Sequence, residues 1–422
     1  MSTSTLFKYV RAQYAALLFA LALLAGYGGM GLVGYYESGN AYYLDLAFLA
    51  LLASGTVLAF SQISLIRETI ITPRVVIGVG VLFFIVFGVF ACFALLVLAT
   101  AEAIPLLAWV SGADPETLVL LREKFLKARE GWQAVFPYIN GLFTGALIPY
   151  CLAYFFLERY RWRWLAFGAF LLYCIVFIEK VFFLKAMLPL LYVAFCVREG
   201  RASTFLLVIG LCLGILFFLG VVSGFGTSVV ETSVPFFSNE YRPSGTFNFL
   251  AWRAIAVPVF TAADALAYFA EGLHSNHLMG ATSSLLAALF GLERVDFERL
   301  VFAYQWGQTE TGTGSANSVY FVDAYVNFGI WGVIFFSAII GVLFRMIARS
   351  RDQALHAIWP LFAFGLYVSG LVGNLASNGF LLVFVFCGMT QIRSAIKAKS
   401  PGAEAAHNSA SCEDATGFPG RS

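Results

Sequence analysis

Asp323 and Asn327 stand four residues apart in SVYFVDAYVNFGIWG, at the head of a strongly apolar run. On a helix that spacing puts both side chains on one face. A carboxylate and an amide are costly in hydrocarbon, so such groups in a membrane face a wet cavity or a partner. A carboxylate within reach of a hydroxyl is a candidate general base. Asp323 is the best placed of three candidates, ahead of Glu310 and Glu179. The structural alternative for Asp323 is a hydrogen bond to a neighbouring helix, and for Glu310 a solvated loop. The run TGTGSANS just before, with Ser315 and Asn317, gives the backbone freedom to approach a ligand closely. Asn374 and Asn378 in VGNLASNGF could line the same cavity, although turn propensity alone explains them.

Cations come from other parts of the chain. Lys180 and Lys185 lie where two apolar stretches meet in FIEKVFFLK, and each stretch is too short to cross about 30 Å of hydrocarbon. Their junction is therefore expected below the membrane surface, with the lysines in a water-filled depression suited to an anion. The alternative is a Glu179–Lys180 pair with Lys185 snorkelling to the interface. Arg242 (NEYRPSG) and Arg253 (FNFLAWRAIAVPVF) carry guanidinium forks that match phosphate oxygens. Arg253 stands alone in an apolar helical run, or else pairs with a carboxylate such as Asp264. His274 and His277 form HSNH, which reads as a turn. With no third ligand nearby no metal is expected, and hydrogen bonding to a sugar or phosphate competes with plain loop polarity. Tyr241, Phe247, Trp252, Tyr304 and Trp306 are candidate sugar platforms.

The elements that must position these groups follow from composition. Hydrophobic residues make up 60% of the 422 and charged residues 12%, against about 25% charged in soluble chains. Mean hydropathy is +0.83. This is the composition of a polytopic membrane protein, and no basic run suggests a nucleic-acid partner. Cys92, Cys151, Cys174, Cys196, Cys212 and Cys387 lie in apolar spans and Cys412 in the tail, without paired spacing for a disulfide or zinc.

Long candidate spans are Ala12–Gly34, Tyr42–Ile63, Val75–Leu98, Ala134–Leu157, Ser203–Ser223 and Tyr320–Ile347. Shorter ones are Leu165–Ile178, Val181–Val197, Ala357–Leu371 and Gly379–Arg393. With about ten spans, the basic clusters at Lys8/Arg11, Arg67/Arg74, Arg159–Arg163, Arg198/Arg201, Arg345–Arg351 and Arg393–Lys399 fall on one side. The positive-inside rule then makes that side, and both termini, cytoplasmic. The N-terminal run is expected to be an uncleaved first helix. Four regions result. Residues 1–223 hold seven spans, with an amphipathic external segment near 101–132. Residues 224–319 form a large external loop with apolar helical pieces, 320–399 hold the last three spans, and 400–422 form a disordered cytoplasmic tail. No internal repeat is visible, which weighs against a standard transporter.

The order of a lysine junction, a large loop with a lone Arg in an aromatic helix, and then TGSANS…DAYVNFGIWGVI resembles the bacterial oligosaccharide repeat-unit polymerases, the O-antigen (Wzy-type) polymerases. It covers roughly residues 10–395 in topology and Gly312–Gly341 at the level of motif. The resemblance implies an all-α, GT-C-like enzyme of the bacterial inner membrane with a helical periplasmic loop. It also implies two undecaprenyl-diphosphate-linked oligosaccharides as substrates, with a chain-length regulator as a further partner. A glycan would pass from its lipid diphosphate to a sugar hydroxyl of a second lipid-linked unit, building a surface polysaccharide. No nucleotide cofactor is implied. In this reading Asp323, Arg253 and Glu310 are catalytic. Lys180, Lys185, Arg242, His274, His277, Ser315, Asn317, Asn327, Trp252 and Tyr241 bind substrate. The alternatives are an O-antigen ligase-type transferase, a polysaccharide or lipid transporter, and a non-catalytic assembly scaffold.

Overall fold

A chain in hydrocarbon must satisfy its backbone hydrogen bonds internally, and long apolar runs do so as helices. The structure, a computed structural model, describes residues 12–63, 75–127, 129–176, 180–194, 234–241, 245–307, 316 and 318–393. Glu179, Arg242, Glu310, Ser315, Asn317, the expected span Ser203–Ser223 and the tail lie outside the described residues.

Among the described residues six helices are long and apolar enough to cross a membrane. Four are α1 (Ala12–Ser38), α2 (Tyr42–Gln62), α3 (Val79–Ala99) and α6 (Gly131–Leu157), which follows the short helices α4 (Pro105–Val110) and α5 (Pro115–Arg122). The fifth, Ala251–Glu271, is most of α9 (Gly245–Glu271), which lies in the segment read from sequence as an external loop and packs on α1 and α2. Between α6 and α9 come α7 (Arg163–Val176) and α8 (Lys180–Tyr192). After α9 come α10 (Ser284–Phe290), α11 (Phe297–Trp306) and the sixth long helix, α12 (Tyr320–Arg349). After α12 come α13 (Gln353–Val368), α14 (Leu371–Leu375) and α15 (Phe380–Met389).

Two of the expected spans end in a strand. Val75–Gly78 (β1) precedes α3 and pairs in parallel with Thr390–Arg393 (β2) after α15. The β-branched residues of VVIG and TQIR favour extended backbone, so hydropathy alone overran these helices.

The largest departure from the sequence reading concerns α12, expected as one continuous span. At Gly329 the backbone takes φ 65°, ψ −156°, which no helix contains. Tyr320 and Ser337 share a hydrogen bond of 3.0 Å although they are 17 residues apart. In a straight helix that separation is about 25 Å. The ring of Phe19 likewise lies 6.1 Å from Tyr320 and 5.2 Å from Phe344. Helix α12 is therefore a hairpin. Its short arm precedes Gly329 and its long arm follows it, folded back alongside.

The long arm packs tightly on α2. A Cβ at Gly341 would meet the Val57 carbonyl oxygen at 2.6 Å, so glycine is what lets the two backbones approach. At the far end of this pair the Arg345 guanidinium donates to the Ser61 carbonyl at 2.6 Å. There too Tyr150 of α6 donates to Asp352 at 2.6 Å, while the other Asp352 oxygen caps α13 at Ala354 and Leu355. At the opposite end Tyr42, opening α2, donates to Glu271, closing α9. The bundle thus has two distinct polar ends, and the Gly329 turn belongs with the second.

Candidate active site

The short arm of α12 is buried on nearly every side: Tyr320, Phe321, Val322, Ala324, Val326 and Asn327 all belong to the core. Phe321 packs edge-on against Tyr27 of α1. A helix that stops inside a protein leaves its last carbonyls without intrahelical partners. Here the turn after α9 supplies them. Leu278 N–H donates to Val326 O at 3.1 Å and Met279 N–H to Asn327 O at 3.0 Å. Met279 and Gly280 adopt φ of 49° and 97°, which turns the chain so that both donors face the arm. The His277 ring stacks on Phe269 and sits where a Gly329 side chain would be, its Nε2 3.1 Å from that Cβ position.

The same turn builds the polar site. Thr282 donates its hydroxyl to Asp323 Oδ1 at 2.9 Å. The Asn327 amide reaches Asp323 Oδ1 at 3.1 Å and Thr282 Oγ1 at 2.7 Å, and its own Oδ1 accepts from Gly280 N–H at 2.9 Å. These bonds fix Asn327 and one oxygen of Asp323. The other oxygen, Oδ2, faces Gly370 at the start of α14, where a Cβ would come within 2.6 Å. Among the described residues Oδ2 accepts no hydrogen bond, and it is not among the buried, unpartnered polar atoms. Asp323 is half-buried, and no Lys or Arg of the described residues bonds it. Ser318 Oγ, just ahead of the arm, is buried and has no hydrogen-bond partner among the described residues.

Asp323 and Asn327 share the expected face, but the arm that carries them ends at the Gly329 turn instead of continuing straight into the long arm. Both stand on the arm that runs toward the Gly329 turn, so Asn327 is nearer that turn than Asp323. Of the other sequence candidates, His277 joins the turn while His274 is exposed beside it at φ 49°. Arg253 is exposed and makes no hydrogen bond or ion pair among the described residues. Its suggested partner Asp264 instead accepts from Gln305 at 2.8 Å. Trp252 is buried, donates to Phe236 O at 3.1 Å and packs beside half-buried Tyr241. Tyr304 is exposed and donates to Glu271 at 3.1 Å. Lys180 opens α8, and half-buried Lys185 lies near Cys174 of α7. Asn374 is buried, donating to Phe362 O and accepting from Asn378. Among the described residues no three His, Cys, Asp or Glu side chains converge as metal ligands would. Thr282, Gly280 and Gly370 went unread in sequence: a threonine in GATSS and a glycine in VSGLVG carry no signal of a partner some forty residues away.

Beside this site an apolar groove of about 570 Å³ lies between α10, the long arm of α12 and α14, with Leu286, Phe328, Trp331 and Leu371 among its walls. A second groove of about 610 Å³ continues from it along the long arm to Phe60. The two share Trp331, Phe335 and Ile339.

The fold and site thus define a predominantly helical, multi-pass membrane protein whose polar centre stands on a half-helix folded back into the bundle. No protein-family model, curated protein or solved structure matches the chain.

Proposed function

We propose that this chain polymerises oligosaccharide repeat units carried on polyprenyl diphosphate, working as a GT-C-like enzyme of about ten spans in the bacterial inner membrane. The observation that carries the reading is the Asp323 carboxylate, held through Oδ1 by Thr282 and Asn327, with Oδ2 beside Gly370 accepting no hydrogen bond among the described residues. A base fixed on one oxygen and free on the other is placed to take a proton from an incoming hydroxyl. The sugar hydroxyl gives its proton to Oδ2, and its oxygen bonds the anomeric carbon of the donor glycan. The bond from that carbon to the diphosphate breaks, and the diphosphate leaves with the electron pair. The energy comes from the glycosyl diphosphate bond, so no nucleotide is needed.

The described surroundings of Asp323 supply no bonded cation, which suits a hydroxyl and disfavours a phosphate at that oxygen. In this reading the diphosphate is held apart from Asp323, by Arg253, Lys185, Lys180 and Arg242, and positive charge there stabilises the leaving group. Glu310 stands as the second candidate base. The test is Asp323→Asn with purified lipid-linked substrate. Loss of the base should slow transfer by about 10²–10⁴-fold, and a near-normal rate removes Asp323 from the chemistry. Arg253→Ala should abolish polymer while the protein still accumulates.

The hairpin in α12 gives a transporter reading its one specific support, because interrupted helices line many transport sites. Transport without bond formation by the purified chain would favour it. A ligase-type transferase shares the donor, and an acceptor assay separates the two.

A further inference from the structure

The turn from α6 into α7 reads RYRWRW over residues 159–164, with arginines and aromatic rings in alternation. It lies on the Arg345–Asp352 side of the bundle, because α6 reaches it after Tyr150, which bonds Asp352. Basic residues orient a membrane chain without any particular geometry. Here the geometry is specific. Helix α6 closes with Tyr160 N–H donating to Phe155 O at 2.9 Å, and Arg159 takes the left-handed position at φ 50°. Glycine fills that position most easily, so a cation stands where the backbone alone would favour none. The Tyr160 ring is wedged against Phe83 of α3 and Phe155 of α6, with ring centres 5.4 and 5.6 Å away. Arg163 N–H then donates to Tyr160 O at 3.2 Å as α7 begins.

With Tyr160 turned inward, the cations are left outside. Arg159 and Arg161 are exposed and Arg163 is half-buried. The Arg161 guanidinium lies 5.2 Å from the Trp162 ring, and that of Arg163 lies 5.8 Å from the Phe156 ring. Among the described residues none of the three makes an ion pair or a side-chain hydrogen bond. Glu158 is the one carboxylate in the turn. The rings therefore hold two guanidinium groups in place while their N–H forks lack acceptors. Trp162 and Trp164 are 41% and 56% exposed, and Leu165, next in α7, is 59% exposed. Tryptophan settles at the depth of lipid head groups. A soluble anion would use the forks and leave the indoles bare. An anionic phospholipid uses both, because phosphodiester oxygens match the guanidinium fork and the carbons below them meet the indoles and Leu165.

We propose that the α6–α7 turn is a binding site for an anionic phospholipid of the leaflet on the Arg345–Asp352 side. Its phosphodiester is held by Arg159, Arg161 and Arg163, and its glycerol and upper acyl chain lie against Trp162 and Trp164. The turn is already fixed by Tyr160, so little ordering is left to oppose binding. The site is at the end of the bundle opposite Asp323 and is independent of the glycan-transfer reading.

The test uses the full chain in phosphatidylcholine nanodiscs that contain a photoreactive lipid, with labelled peptides identified by mass spectrometry. The probes are phosphatidylglycerol and phosphatidylcholine, each with a diazirine high on one acyl chain. Phosphatidylcholine has the same phosphodiester beside a fixed positive charge, so it reports the lipid that merely surrounds the protein. Labelling of the α6–α7 turn should be about tenfold stronger with the phosphatidylglycerol probe, and Arg159→Gln, Arg161→Gln and Arg163→Gln should each lower it about fivefold, the effect of one basic residue at an anionic surface. Trp162→Ala should lower it about threefold with every charge in place, through loss of an exposed cation–π contact. Each variant leaves most of the basic cluster intact to orient the chain, and thermal unfolding confirms its fold. Inorganic phosphate, matched in ionic strength with chloride, should not displace the probe. Equal labelling by the two lipids, wild-type labelling in two or more folded arginine variants, or displacement by inorganic phosphate overturns the site.

Discussion

Replacing Gly370 with alanine tests the site with the smallest possible change. Gly370 has φ −64° and ψ 152°, a conformation that alanine adopts freely. The added Cβ would stand 2.6 Å from Asp323 Oδ2 and 3.2 Å from its Cγ. Carbon and oxygen ordinarily approach no closer than about 3.3 Å, so the carboxylate must recede by roughly 0.7 Å or α14 must shift. Receding strains the bonds from Thr282 and Asn327, each worth about 1.5–3 kcal/mol as a bond to a charged group. A misplacement approaching 1 Å in a catalytic group costs on the order of 100-fold in rate. Glycan transfer by Gly370→Ala should therefore fall about that much, with the protein still folded and its stability lowered by at most about 3 kcal/mol. The assay is transfer from purified lipid-linked oligosaccharide in nanodiscs, paired with thermal unfolding of the same preparation. In an Asp323→Asn background the alanine should have no further effect on rate, since the two changes act on one group. A rate within twofold of wild type, or an equal loss in both backgrounds, refutes the role given to Oδ2.

Three further changes probe the frame around the site. Gly329→Ala should lower stability by about 1–3 kcal/mol, because its φ/ψ region is almost restricted to glycine; wild-type unfolding behaviour would mean that the hairpin is absent. Tyr150→Phe removes the 2.6 Å bond to Asp352 and should cost about 1.5–3 kcal/mol in a denaturation series, with transfer chemistry untouched at the opposite end. Partial burial and the Glu271 carboxylate push Tyr304 up to about 12. An unfolded phenol loses its proton near pH 10, so the folded chain binds more protons between those values and its stability falls as pH rises through them. Tyr304→Phe should flatten part of that alkaline decline, modestly because the side chain is half exposed; an unchanged pH profile would count against the Glu271 contact.

The apolar helices were legible because hydrocarbon imposes length and composition directly on sequence. Asp323 and Asn327 were legible for the same reason, as polar residues that an apolar run has to justify. Spacing alone placed them on a shared face, and the Asn327–Asp323 hydrogen bond follows from it. The reversal at Gly329 was hidden because glycine within YVNFGIWG leaves hydropathy unbroken. Its positive φ is held by the His277–Gly280 turn, a long-range contact. Thr282 and Gly370 were invisible for a related reason: one contributes a hydroxyl from a turn, the other only the absence of a methyl group. Arg253 was conspicuous as a lone cation, yet sequence could not tell that Asp264 is taken by Gln305.

The cap on the short arm of α12 comes from residues synthesised well before it. Val326 and Asn327 pass their carbonyls to Leu278 and Met279 rather than to residues further along their own helix. Excised into a bilayer, the segment Tyr320–Arg349 would have no such donors, and an unsatisfied carbonyl there costs several kcal/mol. The isolated segment would therefore straighten and cross the membrane as an ordinary helix, carrying Asp323 away from Gly370. The bend is thus an act of assembly: the chain can insert first and acquire its carboxylate geometry only when α12 closes onto a turn already waiting for it.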